Sequence, residues 1–167
     1  IYKPAMIAVC TSCMSEVIGD DLKAFLDGAR EAGSVPNGFP VALAHTPSFI
    51  GSHITGYDSM LLGIVEALSA GRHREGDPDG KINLIPGFDP HVENIRELRR
   101  YAALMGAPVT VLADNSESFD SPLSGQYTMY NGGTTLEETA ECVNAAATIS
   151  LQAYAPTTTL AGSSGTW

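Results

Sequence analysis

Apolar and polar positions along the chain form blocks that predict strands separated by helices. Nearly continuous short apolar runs predict buried strands at Ala5–Cys10, Val41–Ala44, Ile82–Ile85 and Val109–Leu112. Apolar residues spaced three or four apart predict helices that follow Asp21 and that span Asp58–Ala70 and His91–Met105. Strands that alternate with helices are typical of a parallel sheet flanked by helices. The pattern therefore predicts an α/β, Rossmann-like fold.

Several local signals refine these boundaries. Asp20 and Asp21 provide an acidic helix start, and Gly33 can end that helix. In the helix over residues 91–105, the spacing places Ile95 and Met105 on the inward face. The charged, glycine-rich run of residues 71–80 predicts a solvated loop.

The last third of the chain gives weaker signals. A polar stretch runs from Asp114 to Gly133, and the Thr–Glu pairs that follow favour a capping box at the start of a helix. We predict that this helix continues through Ala147, and that the tail from Pro156 is a loop without catalytic residues. The whole chain, residues 1–167, is predicted to be one α/β unit whose C-terminal end is a linker.

Composition limits the classes of function. The chain has 167 residues, of which 44% are apolar and 17% charged, which suits one folded domain. A formal net charge of −10 disfavours nucleic acid and suits a basic protein partner. No apolar run approaches the roughly 18 residues of a membrane span, and no secretory signal is visible, so we expect a cytoplasmic protein. Because the chain opens on Ile1 rather than Met, we expect a piece of a longer protein.

The chain has three cysteines, an odd number that fits a disulfide framework poorly. Cys10 and Cys13 form a CxxC pair that lies between an apolar run and a helix pattern. Such a pair is compatible with a redox dithiol, half of a zinc site, an iron–sulfur ligand or simple packing. Cys142 lies among alanines, where packing is the better interpretation. The residues alone leave the role of the CxxC pair open.

The histidines and the glycine-rich turns give little indication of a metal or phosphate site. The four histidines show no metal-binding spacing, although His45 ends a strand at the carboxyl edge of the sheet, where α/β sheets place ligands. The runs Gly51–Gly56 and Asn131–Thr135 are similar to phosphate cradles but match neither GxGxxG nor GxxxxGK[ST]. Turn geometry accounts for both runs.

Longer strings carry a specific resemblance. The blocks, in chain order, are CTSCMSEVIGDDL (Cys10–Leu22), HTPSFIGSHITGYD (His45–Asp58), INLIPGF (Ile82–Phe88) and MYNGGTTLEE (Met129–Glu138). Together they resemble the β subunits of nitrogenase molybdenum–iron proteins. The resemblance implies that the chain is an internal fragment, part of the first of three α/β domains in such a subunit.

The resemblance also implies roles for individual residues. The family holds an [8Fe-7S] P-cluster between its α and β subunits, with three cysteines from each. Cys13 matches one of these ligands, and Ser48 matches an additional ligand that binds iron through its oxygen when the cluster is oxidised. Val17 and Ile18 match the surface on which the iron protein docks. Cys10 is not a ligand in this pattern, and we expect it to be a buried thiol.

At the level of the complex, the resemblance implies an α2β2 heterotetramer that receives electrons from an ATP-carrying iron protein and reduces dinitrogen to ammonia. It implies no catalytic residue in this chain, since the molybdenum–iron cofactor lies in the α subunit only. The other two β-subunit cluster cysteines are expected upstream of Ile1. Alternatives are the β subunit of a vanadium or iron-only nitrogenase, a cofactor-assembly scaffold, a CxxC redox or zinc-binding module, and an inert nucleotide-binding domain. The block His45–Asp58 favours the molybdenum type.

Overall fold

The computed structural model describes residues 3–73, 79–117 and 133–152. In these ranges the strands are β1 (Ile7–Cys10), β2 (Val41–Ala44), β3 (Ile82–Ile85), β4 (Val109–Val111) and β5 (Ala147–Ser150). The helices are α1 (Cys13–Ile18), α2 (Leu22–Glu31), α3 (His53–Ser69), α4 (Val92–Leu104) and α5 (Leu136–Ala140), and a 3₁₀ turn covers Glu141–Asn144. The predicted α/β architecture is confirmed.

All strand pairing among the described residues is parallel, in two sheets. β1 pairs with β2, with Cys10 opposite Ala44, and the second sheet has the order β4-β3-β5. Because β1 and β2 are parallel and end in register, the segments that follow them begin at the same edge of the sheet. This edge carries the candidate site described below.

Two apolar clusters hold the sheets to the helices. The larger one joins α3 to β3 and the 3₁₀ turn through buried residues: Leu61, Val65, Ile85, Leu112, Cys142 and Val143. The smaller one packs α4 on the opposite face of the same β4-β3-β5 sheet through Leu84, Ile95 and Val111. α3 also lies closely on β2, since a Cβ atom added to Gly63 would lie 2.3 Å from the carbonyl oxygen of Leu43.

Several boundaries differ from the prediction. The helix predicted through Ala147 ends at Ala140, and Ala147–Ser150 instead forms β5 on β3. The β-branched residues Thr148 and Ile149 fit a pleated strand better than a helix. α3 begins at His53 rather than Asp58, because Ser52 caps it in a capping box with Thr55.

Two buried positions were wrongly predicted. Met105 is 76% exposed, because it follows the last residue of α4 and lies beyond the inward stripe. Cys10 is exposed rather than buried, since it lies at the end of β1, where the described chain places nothing over its side chain. The predicted tail from Pro156 and the stretch of residues 118–132 lie outside the described residues.

Candidate functional site at the carboxyl edge of β1 and β2

Cys13 and Ser48 meet at the edge where β1 and β2 end. Their Sγ and Oγ atoms are 2.6 Å apart, and the backbone N–H of Ser48 donates a second hydrogen bond to Cys13 Sγ at 3.2 Å. The two residues are 35 positions apart in the chain. The parallel register of β1 and β2 brings them together, so the sheet topology itself builds this pair.

Local sequence explains the placement of Cys13. Ser12 has extended backbone geometry and caps α1, accepting a hydrogen bond from the Ser15 backbone N–H. Cys13 is consequently the first residue of α1, and the chain turns sharply between β1 and its thiol. α1 ends at Gly19, whose φ of +77° is the left-handed geometry that glycine adopts without strain.

The Ser48 contacts change the acidity of the Cys13 thiol. Hydrogen bonds from the Ser48 side chain and then from its backbone N–H are the main causes that lower the pKa of Cys13 below its ordinary value. Both donors stabilise the thiolate more than the neutral thiol. Since the thiolate is the form that binds metals, the site prepares Cys13 to act as a soft ligand.

A second polar pair lies beside the first. His45 Nδ1 is 2.7 Å from Glu16 Oε1, which connects the segment after β2 to α1. Hydrogen bonds from Thr11 and from His45 lower the pKa of the Glu16 carboxyl, so the ionised form is favoured. His45, which the sequence places at the sheet edge, thus pairs with a carboxylate rather than lying open as a ligand.

Thr11 and Thr46 form a third link across the same edge. The Thr46 N–H donates to Thr11 Oγ1 at 2.8 Å, and Thr46 Oγ1 donates to the Thr11 carbonyl oxygen at 2.9 Å. Thr11 is only 5% exposed. Sequence reasoning did not single out Thr11 or Glu16; the only available signal was that both lie within three residues of Cys13.

A cleft of about 600 Å³ opens beside these residues. Its walls include Glu16, His45 and Ser48 on one side and the first turns of α3 on the other. Ser48 is exposed and Cys13 is partly exposed, so both ligating atoms are accessible from outside this chain. The edge therefore has space for a group larger than a water molecule.

The remaining candidates do not join this site. Cys142 is buried in the larger apolar cluster, which confirms the packing interpretation, and burial raises its pKa to about 11. His53 packs its ring against Phe88, and His91 caps α4. The glycine-rich run Gly51–Gly56 contains Ser52, the N-cap of α3, and continues into the first turn of that helix.

The surface next to the pair is apolar. Met14, Val17 and Ile18, which we call the α1 apolar patch, are each at least 65% exposed. None of the residues in α1 is buried within the described chain. An exposed apolar surface of this kind is typical of an interface with a partner or with the remainder of a longer chain.

Two absences define the limits of the site. Within residues 3–73, 79–117 and 133–152, no three His, Cys, Asp or Glu side chains cluster as a metal site would require. The Cys13 thiol and the Ser48 hydroxyl are two candidate ligand atoms at the edge, so a metal group held there would need further ligands from elsewhere. In the same described ranges, no helix has both the length and the apolar character to cross a membrane.

A parallel α/β unit that brings a thiol and a hydroxyl together at the carboxyl edge of its sheet has the arrangement of a ligand-binding α/β domain. The chain belongs to the nitrogenase component 1 type oxidoreductase family, whose sequence model matches residues 1–162. The resemblance drawn from the sequence is thereby confirmed.

Named relatives are more specific. The chain is 58% identical over 154 residues to the nitrogenase molybdenum-iron protein beta chain of Nostoc sp. (strain PCC 7120), covering 92% of this chain and 30% of the relative. It is 53% identical to the beta chain of the same name from Bradyrhizobium diazoefficiens, covering 96% of this chain and 32% of the relative. The chain therefore spans about a third of the length of these relatives.

A solved structure agrees with the sequence comparison. A chain of nitrogenase Cp1 at pH 6.5 superposes on this one with a TM-score of 0.86 at 40% identity, over 98% of this chain and 36% of that chain. The fold is therefore that of part of a larger nitrogenase subunit.

Proposed function

We propose that this chain is part of the β subunit of a nitrogenase molybdenum–iron protein and that it supplies Cys13 and Ser48 to the P-cluster. The observation that carries the proposal is the 2.6 Å contact between Cys13 Sγ and Ser48 Oγ. These are the two residues that the family resemblance assigns to the [8Fe-7S] cluster shared with the α subunit. The beta-chain names of the relatives support the same conclusion.

The chemistry of the pair suits an iron–sulfur cluster. A thiolate is a soft ligand that holds iron across redox states, whereas a serine oxygen is harder and suits oxidised iron. The cluster, when bound, relays electrons to the molybdenum–iron cofactor of the α subunit. In this scheme Cys13 would hold the cluster in both redox states, and Ser48 would offer its oxygen to the oxidised cluster and release its hydroxyl proton to solvent. This chain contributes no catalytic residue.

The α1 apolar patch is the surface that we propose for contact with a partner protein. Val17 and Ile18 are 73% and 65% exposed beside Cys13. We assign this surface to docking of the iron protein, which hydrolyses ATP and donates electrons, in a cytoplasmic α2β2 complex that reduces dinitrogen to ammonia. A partner docked on this surface would lie close to Cys13, because Cys13, Val17 and Ile18 belong to the same short helix. A short distance between the partner and the cluster favours electron transfer.

Alternative functions are less well supported. A CxxC redox or zinc module would use Cys10 and Cys13 together, but Cys13 bonds to Ser48, and both cysteines are free thiols. A vanadium-type, iron-only or scaffold relative would preserve much of the fold. The relatives described above are molybdenum-iron beta chains, which supports the molybdenum type.

The test of the proposal is a Ser48→Ala variant of the full-length parent complex, purified without oxygen. Ser48→Ala should retain its iron and its spectrum in the reduced state, because Cys13 remains in place. The spectrum of the oxidised cluster should change, since the hard oxygen ligand is lost. Identical spectra in every redox state would refute the role of Ser48.

A further inference from the structure

The two proposed ligands are each preceded by a threonine at the same spacing. Thr11 lies two residues before Cys13, and Thr46 lies two residues before Ser48. The threonines bond to each other across the sheet edge at 2.8 and 2.9 Å. These part-buried hydrogen bonds therefore join the two segments at a point two residues before each proposed ligand.

The Thr11 hydroxyl is the centre of a larger network. It accepts a hydrogen bond from the Thr46 N–H, and its own hydrogen is directed to the Glu16 side, where Thr11 is the main cause that lowers the pKa of the Glu16 carboxyl. Glu16 is bonded in turn to His45 Nδ1 at 2.7 Å. The network thus connects the end of β1, α1 and the segment after β2 through one side chain.

The network matters because the hydrogen bond between Cys13 Sγ and Ser48 Oγ does not by itself fix the distance between these two atoms. The hydrogen bond between the exposed Cys13 and Ser48 side chains would weaken if the Cys13 thiolate bound iron, because the metal draws electron density from the sulfur. The Thr11–Thr46 hydrogen bonds are part-buried and lie outside the Cys13–Ser48 pair, so they would persist with or without a bound group.

We propose that Thr11 is a positioning residue, whose hydroxyl sets the separation between the Cys13 thiolate and the Ser48 oxygen. The inference rests on the proposed function, in which these two atoms bind the P-cluster. Removing the hydroxyl would leave the part-buried Thr46 N–H without its acceptor. Because an unpaired buried polar group is costly, the segment that carries Ser48 would shift away from Cys13.

The experiment compares Thr11→Val with Thr11→Ser in the full-length parent complex, with Cys13→Ala and Ser48→Ala alongside. Valine keeps the volume and β-branching of threonine but lacks the hydroxyl, whereas serine keeps the hydroxyl. Iron content and cluster spectra are recorded in the reduced state and after oxidation by an organic dye, which accepts the electrons. Ser48 releases its hydroxyl proton to solvent when its oxygen binds.

We expect Thr11→Val to keep its iron and the wild-type reduced spectrum, while its oxidised spectrum moves toward that of Ser48→Ala. Thr11→Ser should match the wild type in both states. A wild-type oxidised spectrum for Thr11→Val would overturn the inference. If Thr11→Val loses iron, full iron in Thr11→Ser supports the hydroxyl role, and equal loss in Thr11→Ser contradicts it.

Cys13→Ala separates this inference from the proposed function. If Cys13→Ala keeps a normal cluster, the proposed function is wrong and the positioning role is wrong with it. If Cys13→Ala loses cluster iron while Thr11→Val is spectroscopically normal, the ligand assignment stands and only the positioning role is refuted.

Discussion

Cys13 and Cys142 are both free thiols, yet their surroundings give them opposite chemistry. Burial among apolar side chains raises the pKa of Cys142 to about 11, so it stays neutral at physiological pH. Two hydrogen bonds from Ser48 lower the pKa of Cys13 instead. Cys13 is therefore the thiol that is prepared for metal binding, and Cys142 is a packing residue.

The contrast predicts a pattern of thiol reactivity in the cluster-free parent protein. Ser48→Ala removes the strongest cause of the low Cys13 pKa, so the thiolate fraction at pH 7–8 should fall. Alkylation of Cys13 by iodoacetamide, followed by mass spectrometry, should slow several-fold, while Cys10 serves as an internal control with an unchanged rate. Cys142 should stay unmodified in the native protein. An unchanged Cys13 rate would contradict the proposed effect of Ser48.

At the residue scale, sequence reasoning singled out Cys13 and Ser48 but not the residues that bond around them. Cys13 and Ser48 came from a family resemblance, and the structure brings them within 2.6 Å. Thr11 and Glu16 form no recognisable motif, because their roles depend on which segments become neighbours in the fold. A single hydroxyl or carboxylate near a ligand carries no periodic signal.

At the element scale, α3 and β2 pack through a glycine. A Cβ at Gly63 would lie 2.3 Å from the backbone oxygen of Leu43, closer than real contacts allow. Backbone atoms move only with the whole element, so the clash cannot be relieved by rotating a side chain. Gly63 therefore allows α3 to pack closely against β2, the strand that precedes Ser48.

This packing predicts that Gly63→Ala destabilises the parent protein by about 1–3 kcal/mol, the usual cost of overpacking. Gly28→Ala is the matched control, since it also lies inside a helix but meets no atom within 4 Å. Because alanine favours the helix interior, the control should be neutral or stabilising by up to about 1 kcal/mol. Urea unfolding of both variants checks this, and equal effects would argue against the close-packing account.

The boundaries of several helices and strands could not be predicted from sequence patterns. The four strands predicted from apolar runs are present, although β1 is mostly exposed rather than buried within the described residues. β5 was not predicted, and the predicted helix overran into its first residue, Ala147, because Ala145–Ala147 favours helix locally and the pairing of β5 with β3 depends on a distant segment. α1 was missed because six residues give too short a window for helical periodicity.

At the scale of the whole molecule, the α1 apolar patch is the surface that we propose for docking of the iron protein. Val17 lies on it beside Cys13 and is 73% exposed. Burying a charge in an apolar interface without a counter-ion is costly, so Val17→Asp should weaken docking of the iron protein by at least about tenfold. The measurement is electron transfer from the iron protein over a range of its concentrations.

The control for this prediction is an equally exposed apolar residue outside the patch. Leu104 on α4 is 71% exposed, so Leu104→Asp makes the same chemical change on another surface. Its docking and electron transfer should match the wild type. Equal behaviour of Val17→Asp and Leu104→Asp would show that the patch is not the docking surface.

The binding of the P-cluster by Cys13, and not by the CxxC pair, is the proposal on which the function of this chain depends. Its most direct test is the iron content and P-cluster spectrum of Cys13→Ala and Cys10→Ala in the full-length parent complex, purified without oxygen. The account predicts loss of P-cluster iron in Cys13→Ala and a wild-type cluster in Cys10→Ala. Full iron and an unchanged spectrum in Cys13→Ala, or equal loss in both variants, would contradict it.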